Sequence, residues 1–139
     1  MDLQRIAQMT FDNFNDRTFP EKDKDLFAPD VVVVDVPTGQ EMRGFDAYTQ
    51  YSQGFITAMP DIQGTVIEHK VSGNKVTSRI RGQGTFTGQL QTPQGTVPGN
   101  GNPVDIEYRT EIDFNDAGKI NRFAVNYDSQ DFMRQLGIG

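Results

Sequence analysis

The chain has 139 residues, 35% of them hydrophobic, with 19 Asp and Glu against 13 Lys and Arg, for a net charge of −6 at pH 7. That length suits one domain, residues 1–139, with a single core. An acidic chain without a basic cluster is not expected to bind nucleic acid or an anionic membrane, because phosphate binding relies on clustered Lys and Arg. The absence of cysteine excludes disulfides, thiolate nucleophiles and Cys-ligated metals, and it favours a reducing compartment. The one histidine, His69, excludes multi-histidine metal sites and leaves acid–base chemistry to Asp, Glu, Tyr or Lys. No cofactor or metal is expected. The start, "MDLQRIAQMTFDNF", is amphipathic and lacks the apolar centre of a signal peptide, and no apolar run approaches the roughly 20 residues of a membrane helix. A soluble, cytoplasmic protein is the expectation.

Leu3, Ile6, Ala7, Phe11 and Phe14 recur at three- and four-residue steps and predict an amphipathic helix. Glu21–Phe27 reads as a short helical turn after Pro20. Val31–Val36 is short and β-branched, hence a buried strand, and "PTGQ" turns the chain. Phe45, Tyr48, Ser52, Phe55, Ile56 and Met59 mark a second long helix that Pro60 ends.

From Asp61 the pattern becomes strands. Two alternating runs flank Ser72-Gly73-Asn74 as a hairpin. "TPQGTVPGNGNP", residues 92–103, reads as a long mobile loop and a lid over a pocket. It lacks the helix and lysine that phosphate cradling requires. In "VDIEYRTEIDF", Val104, Ile106, Tyr108, Thr110, Ile112 and Phe114 take one face, and Asp105, Glu107, Arg109, Glu111 and Asp113 the other. "NDAGK" turns into the last strand, with Phe123, Val125 and Tyr127 as its apolar set, and a short helix ends at Gly137. The order predicts an α+β domain, with helices packed on one face of a curved antiparallel sheet.

These residues resemble the nuclear transport factor 2-like superfamily of cone-shaped domains, and within it the SnoaL-like polyketide cyclases and ester cyclases. The resemblance lies in Gly118-Lys119-Ile120, Asp128 and Gln135-Leu136-Gly137, in "GTFTGQL" at Gly84–Leu90 with Phe86 where the family segment has histidine, and in "AMPD" at Ala58–Asp61. It spans most of the chain from Gly44 onward. It implies a cone enclosing an apolar small-molecule pocket, and a homodimer through the sheet. The cyclases' acid–base aspartate falls on Val125, and their partner histidine near Thr110 or Glu111. The limonene epoxide hydrolase branch matches at Arg79, while its paired aspartates fall on Arg81 and Val125. The steroid isomerase branch places its general base at the end of the first strand, and Asp35, Pro37, Gly39 and Glu41 are similar to that pattern. Its oxyanion-hole tyrosine and aspartate fall on Phe11 and Thr110.

Asp35 is therefore the candidate catalytic base, raised by neighbouring valines, or else a turn residue capping backbone N–H groups. The candidate substrate-binding residues are Arg79, Thr110, Tyr108, Tyr127, Val125 and Phe11. Asp128, with Asp131 three residues on, reads as an N-cap. Arg79 and Arg81 also admit an exposed arrangement paired with Glu107 and Glu111. His69 shares parity with Ile67 and Val71 and reads as a packed or hydrogen-bonded structural residue. Two functions stand open. One is a cofactor-independent acid–base enzyme, of cyclase or isomerase type, on a small apolar carbonyl compound. The other is a binding module that kept the pocket and lost the chemistry.

Overall fold

The computed structural model describes residues 2–92 and 94–138. Helix α1, Leu3–Asn15, begins where the Asp2 carboxylate accepts the Arg5 N–H at 3.0 Å, which satisfies one of the open donors of the first turn. Its Ala7 and Phe11 are buried, and Leu3, Ile6 and Phe14 pack beside them. Helix α2, Phe19–Asp23, starts with Pro20 in its first turn and runs into a 3-10 turn at Lys24–Leu26, slightly earlier than the sequence suggests. Strand β1 covers Phe27–Asp35 and β2 covers Gln40–Arg43. Helix α3, Phe45–Ala58, stops just before Pro60.

Strands β3, Gln63–Ser72, and β4, Lys75–Phe86, form the expected hairpin around Gly73, which has φ +60°. Strands β5, Gln89–Thr92, and β6, Gly95–Pro98, pair as a small separate sheet. Strand β7, Asn102–Phe114, β8, Ile120–Asn126, and helix α4, Ser129–Leu136, complete the chain. Asp128 caps α4 by accepting from the Asp131 N–H at 3.0 Å, and Gly137 closes it in the left-handed conformation.

The main sheet has the order β2-β1-β8-β7-β4-β3. It is antiparallel except between β1 and β8, which run parallel. On β7 the alternation is as expected, with Val104, Thr110, Ile112 and Phe114 buried and Asp105, Glu107, Arg109 and Glu111 exposed. Among the described residues no helix is long and apolar enough to cross a membrane.

Of the stretch 92–103 expected to be a loop over the pocket, residues 92 and 95–98 belong to the β5–β6 hairpin and 102–103 begin β7, while residue 93 lies outside the described residues. The hairpin's Leu90 and Val97 pack on a cluster formed by Ala58, Met59, Phe86, Val104, Phe132 and Leu136. Alternating apolar residues gave it a partner surface that composition alone did not reveal. Its base is tightly seated, since a Cβ on Gly88 would lie 1.7 Å from the Thr57 carbonyl oxygen. Gly54, midway along α3, has nothing within 4 Å of a Cβ.

One carboxylate sits wholly inside the larger core. Asp23 has no solvent exposure, accepts from Asn13 Nδ2 at 2.6 Å, and accepts from the Tyr48 hydroxyl at 3.2 Å. Burial pushes its pKa up to about 6, against the pull of those two hydrogen bonds. Among the described residues no cation acts on it. Between pH 4 and 6 the folded chain thus binds a proton that the unfolded chain has released. Stability falls as pH rises through that window and levels off above it. Holding the carboxyl at about 6 rather than 3.8 costs on the order of 3 kcal/mol at neutral pH.

Two stability measurements follow from this packing. Asp23→Asn is expected to flatten urea-derived stability between pH 4 and 7 relative to the parent, by roughly 2–3 kcal/mol; equal slopes for the two proteins would contradict the buried acid. At pH 7, Gly88→Ala should lose about 3 kcal/mol or more, whereas Gly54→Ala should be neutral or gain up to about 1 kcal/mol.

Candidate functional site

Between the helices and the inner face of the main sheet lies a cavity of about 90 Å³. One water molecule needs roughly 10–15 Å³, so a small organic molecule fits. Helix α1 contributes Thr10, Phe11 and Phe14, and α3 contributes Tyr48, Tyr51, Ser52 and Phe55. The floor comes from Val104, Ile106, Tyr108 and Thr110 of β7 and from Phe123, Val125 and Tyr127 at the end of the chain's last strand. No lining residue carries a formal charge at neutral pH. Gly82 of β4 makes room here: a Cβ would stand 3.2 Å from the Tyr108 ring.

Strand register sets one row of side chains across the inner face of the main sheet. His69 of β3 pairs with Ser78 of β4, Ser78 with Thr110 of β7, Thr110 with Val125 of β8, and Val125 with Asp35 of β1. Neighbouring strands are roughly 4.8 Å apart, so Thr110 and Asp35 stand about 10 Å apart, one on each side of Val125. The Thr110 residue is 1% exposed and its hydroxyl has no hydrogen-bond partner among the described residues. A buried hydroxyl without a partner costs stability, so the position is poised to be satisfied by a ligand.

Asp35 follows the parity of Val31 and Val33, both fully buried, and so turns inward with 5% exposure. Its carboxylate meets hydroxyls rather than the backbone N–H groups expected of a capping residue. Its Oδ2 accepts from the Thr38 hydroxyl at 2.7 Å within its own turn, and its Oδ1 accepts from the Tyr51 hydroxyl at 2.8 Å. Tyr127 is a further hydroxyl drawn to the same carboxylate. Burial first, and then the Asp35 charge, push the Tyr51 and Tyr127 phenols far above their usual range, so both stay protonated. The carboxylate stands behind these two phenols, which line the cavity, and is not itself part of the wall.

Of the other sequence candidates, Thr110, Tyr108, Tyr127, Val125 and Phe11 all line the cavity. Burial raises the Tyr108 phenol as well. Arg79 does not line it, which corrects its expected place. The two-residue period of β4 turns Val76, Ser78 and Ile80 inward and Arg79 outward, where its Nε is 3.2 Å from Glu68 and its Nη1 3.6 Å from Glu107. His69 keeps its structural role by a different geometry. An irregularity between Val66 and Glu68 breaks the parity with Ile67, and His69 bonds Ser78 Oγ at 2.6 Å through Nδ1 and Gln8 Oε1 at 2.8 Å through Nε2. Burial lowers its pKa, favouring the neutral ring.

One pairing and one group escape the sequence analysis. Tyr51 is the phenol bonded to Asp35; its spacing from Tyr48 and Phe55 puts it on the apolar face of α3, but nothing local connects it to residue 35. Asp23 lies four residues from both Phe19 and Phe27, which is the signal that it faces inward.

A family model described as SnoaL-like polyketide cyclase matches residues 4–136. No curated protein matches the chain. Among solved structures, a candidate SnoaL-like polyketide cyclase from Jannaschia sp. CCS1 superposes with a TM-score of 0.86 at 16% identity, over 99% of this chain and 92% of that one. IdmH, a candidate polyketide cyclase from Streptomyces antibioticus, gives 0.79 at 20% identity, over 99% and 100%. A protein of ketosteroid isomerase-like fold from Catenulispora acidiphila, in complex with trimethylamine, gives 0.75 at 19%, over 96% and 93%. At these identities the likeness concerns the fold, an α+β cone of the nuclear transport factor 2-like kind. With the model spanning nearly its whole length, the chain belongs to the SnoaL-like polyketide cyclase family.

Proposed function

We propose that the chain is a cofactor-independent acid–base enzyme of cyclase or isomerase type, acting on a small, largely apolar carbonyl compound, with Asp35 as the proton acceptor. The observation that carries this reading is the hydrogen bond from the cavity-lining Tyr51 phenol to the buried Asp35 carboxylate, which shares a sheet face with the Thr110 hydroxyl, unpartnered among the described residues. Thr110, with Tyr108 beside it, holds the carbonyl oxygen and stabilises the charge that develops there when an adjacent carbon loses its proton. That proton moves to the Tyr51 oxygen as the Tyr51 proton passes to Asp35, so no free phenolate forms. The raised Tyr51 phenol agrees with this, because it favours a neutral tyrosine at every stage. Phe11 and Val125 shape the apolar bed around the substrate. Arg79 belongs to the charged outer face of the sheet, and we assign that face to contact with a second copy of the chain.

A binding module remains the second reading, favoured by a specific feature. Thr38 and Tyr51 already occupy both oxygens of Asp35, and Val125 stands where the family's cyclases carry their aspartate.

Proton exchange at the carbon next to the carbonyl of 2-tetralone, followed by NMR in D₂O, separates the two. The enzyme reading expects the parent protein to accelerate exchange over buffer, Asp35→Asn to lose roughly 10²–10⁴-fold, and Thr110→Val to lose about tenfold. Binding of the ketone by both parent and Asp35→Asn, with exchange at the buffer rate in both, would sink it in favour of the module.

A further inference from the structure

Asp23 plays no part in the proposed chemistry, yet it is buried without a cation and wired to the cavity. Asn13 on α1 fixes one carboxyl oxygen at 2.6 Å. The other oxygen is 3.2 Å from the hydroxyl of Tyr48 on α3, and the Ser52 hydroxyl acts on that same phenol. Tyr48 and Ser52 both line the cavity, and Tyr108 of β7 lies close enough to influence the Tyr48 phenol. Those are the titratable and polar groups that face the pair; Lys22, Lys24 and Asp25, its neighbours in the chain, are exposed. An uncompensated internal carboxylate is costly to keep, and a simple apolar residue would pack there more cheaply.

We propose that Asp23 and Tyr48 form a proton-operated hydrogen-bond switch at this end of the cavity, specific for a neutral ligand carrying a carbonyl or ether oxygen. The Tyr48 hydroxyl has one hydrogen. When Asp23 is ionised, that hydrogen is held by the carboxylate, and the phenol offers the cavity only a lone pair. When Asp23 is protonated, its own O–H satisfies the Tyr48 oxygen, and the phenol hydrogen turns toward the ligand. The Asp23 carboxyl, held up to about 6 by burial, places the change just below neutrality. The inference rests on the cavity being the ligand site, as the preceding reading does, and is independent of Asp35 accepting a proton.

The test compares 2-acetylnaphthalene with 2-ethylnaphthalene, a hydrocarbon of similar shape, by ligand-observed NMR titration between pH 5 and 8. The ketone is expected to bind roughly five- to tenfold more tightly at pH 5 than at pH 8, the worth of one hydrogen bond, with a midpoint near the pKa of Asp23. The hydrocarbon should show no such change. Asp23→Asn and Tyr48→Phe should each abolish the ketone's pH dependence; the second keeps the ring and its packing, so a folding defect in the first does not obscure the result. Asp35→Asn should keep the dependence. Equal pH profiles for ketone and hydrocarbon, a profile that survives in both Asp23→Asn and Tyr48→Phe, or one lost in Asp35→Asn instead, would each overturn the switch. So would failure of the ketone to bind at pH 5. Loss of exchange chemistry with the switch intact would count against the enzyme reading alone.

Discussion

The parallel pairing of β1 with β8, which sets Asp35 beside Val125, is the constraint on which the site depends. Side chains on neighbouring strands at one register position point to the same side of a sheet. Aligning Asp35 with Val125 therefore also aligns it with Thr110, Ser78 and His69 across the remaining ladders. A slip of one residue in β1 would turn Asp35 to the outside and bring Val34 or Val36 to the floor. The run of valines resists that slip, because Val31 and Val33 are both fully buried on the inward parity.

The cavity wall is uncharged. Its twenty lining residues include none with a formal charge, and the two carboxylates nearby hydrogen-bond to lining tyrosines rather than facing the space directly. Each pair is arranged in the same way: the phenol borders the cavity, and the acid stands behind it. The environments differ, however. Asp35 takes hydroxyls from its own turn and from α3, at the end of a strand. Asp23 is enclosed by aromatic core and held by an amide and a phenol alone. Desolvation therefore dominates at Asp23 and raises its carboxyl.

The opposite face of the sheet follows different physics. Arg79, Arg81, Arg122 and Lys75 alternate with Glu68, Asp105, Glu107, Glu111 and Asp113 across four strands, each pair partly exposed. Such pairs contribute little stability individually, and their geometry is loose except at Arg81–Asp105, where two guanidinium nitrogens reach the carboxylate. The resemblance of Arg79 to a pocket arginine of a related branch carries chemical type but not direction, and direction is what a two-residue period decides.

Local pattern determined much of this protein. The three- and four-residue spacing of Leu3, Ile6, Ala7, Phe11 and Phe14, the alternation of Val104–Phe114, the stop at Pro60 and the caps at Asp128 and Gly137 are all short-range effects, so the sequence alone specified these elements, the α+β class and the inner face of β7, but not strands β2, β5 and β6. Family motifs extended that to the cone-shaped fold. Tertiary structure decided what depends on contacts between distant segments. The irregularity after Val66 separated the inward His69 from Ile67, whose parity it shares and which is exposed, and the β5–β6 hairpin found a packing surface on α4 and the end of α3. Tyr51 met Asp35 from sixteen residues away, and Asp23 met Tyr48 from twenty-five. A hydrogen bond across such a separation exists only once strand register and helix rotation are both set, and neither is encoded in the residues that make the bond.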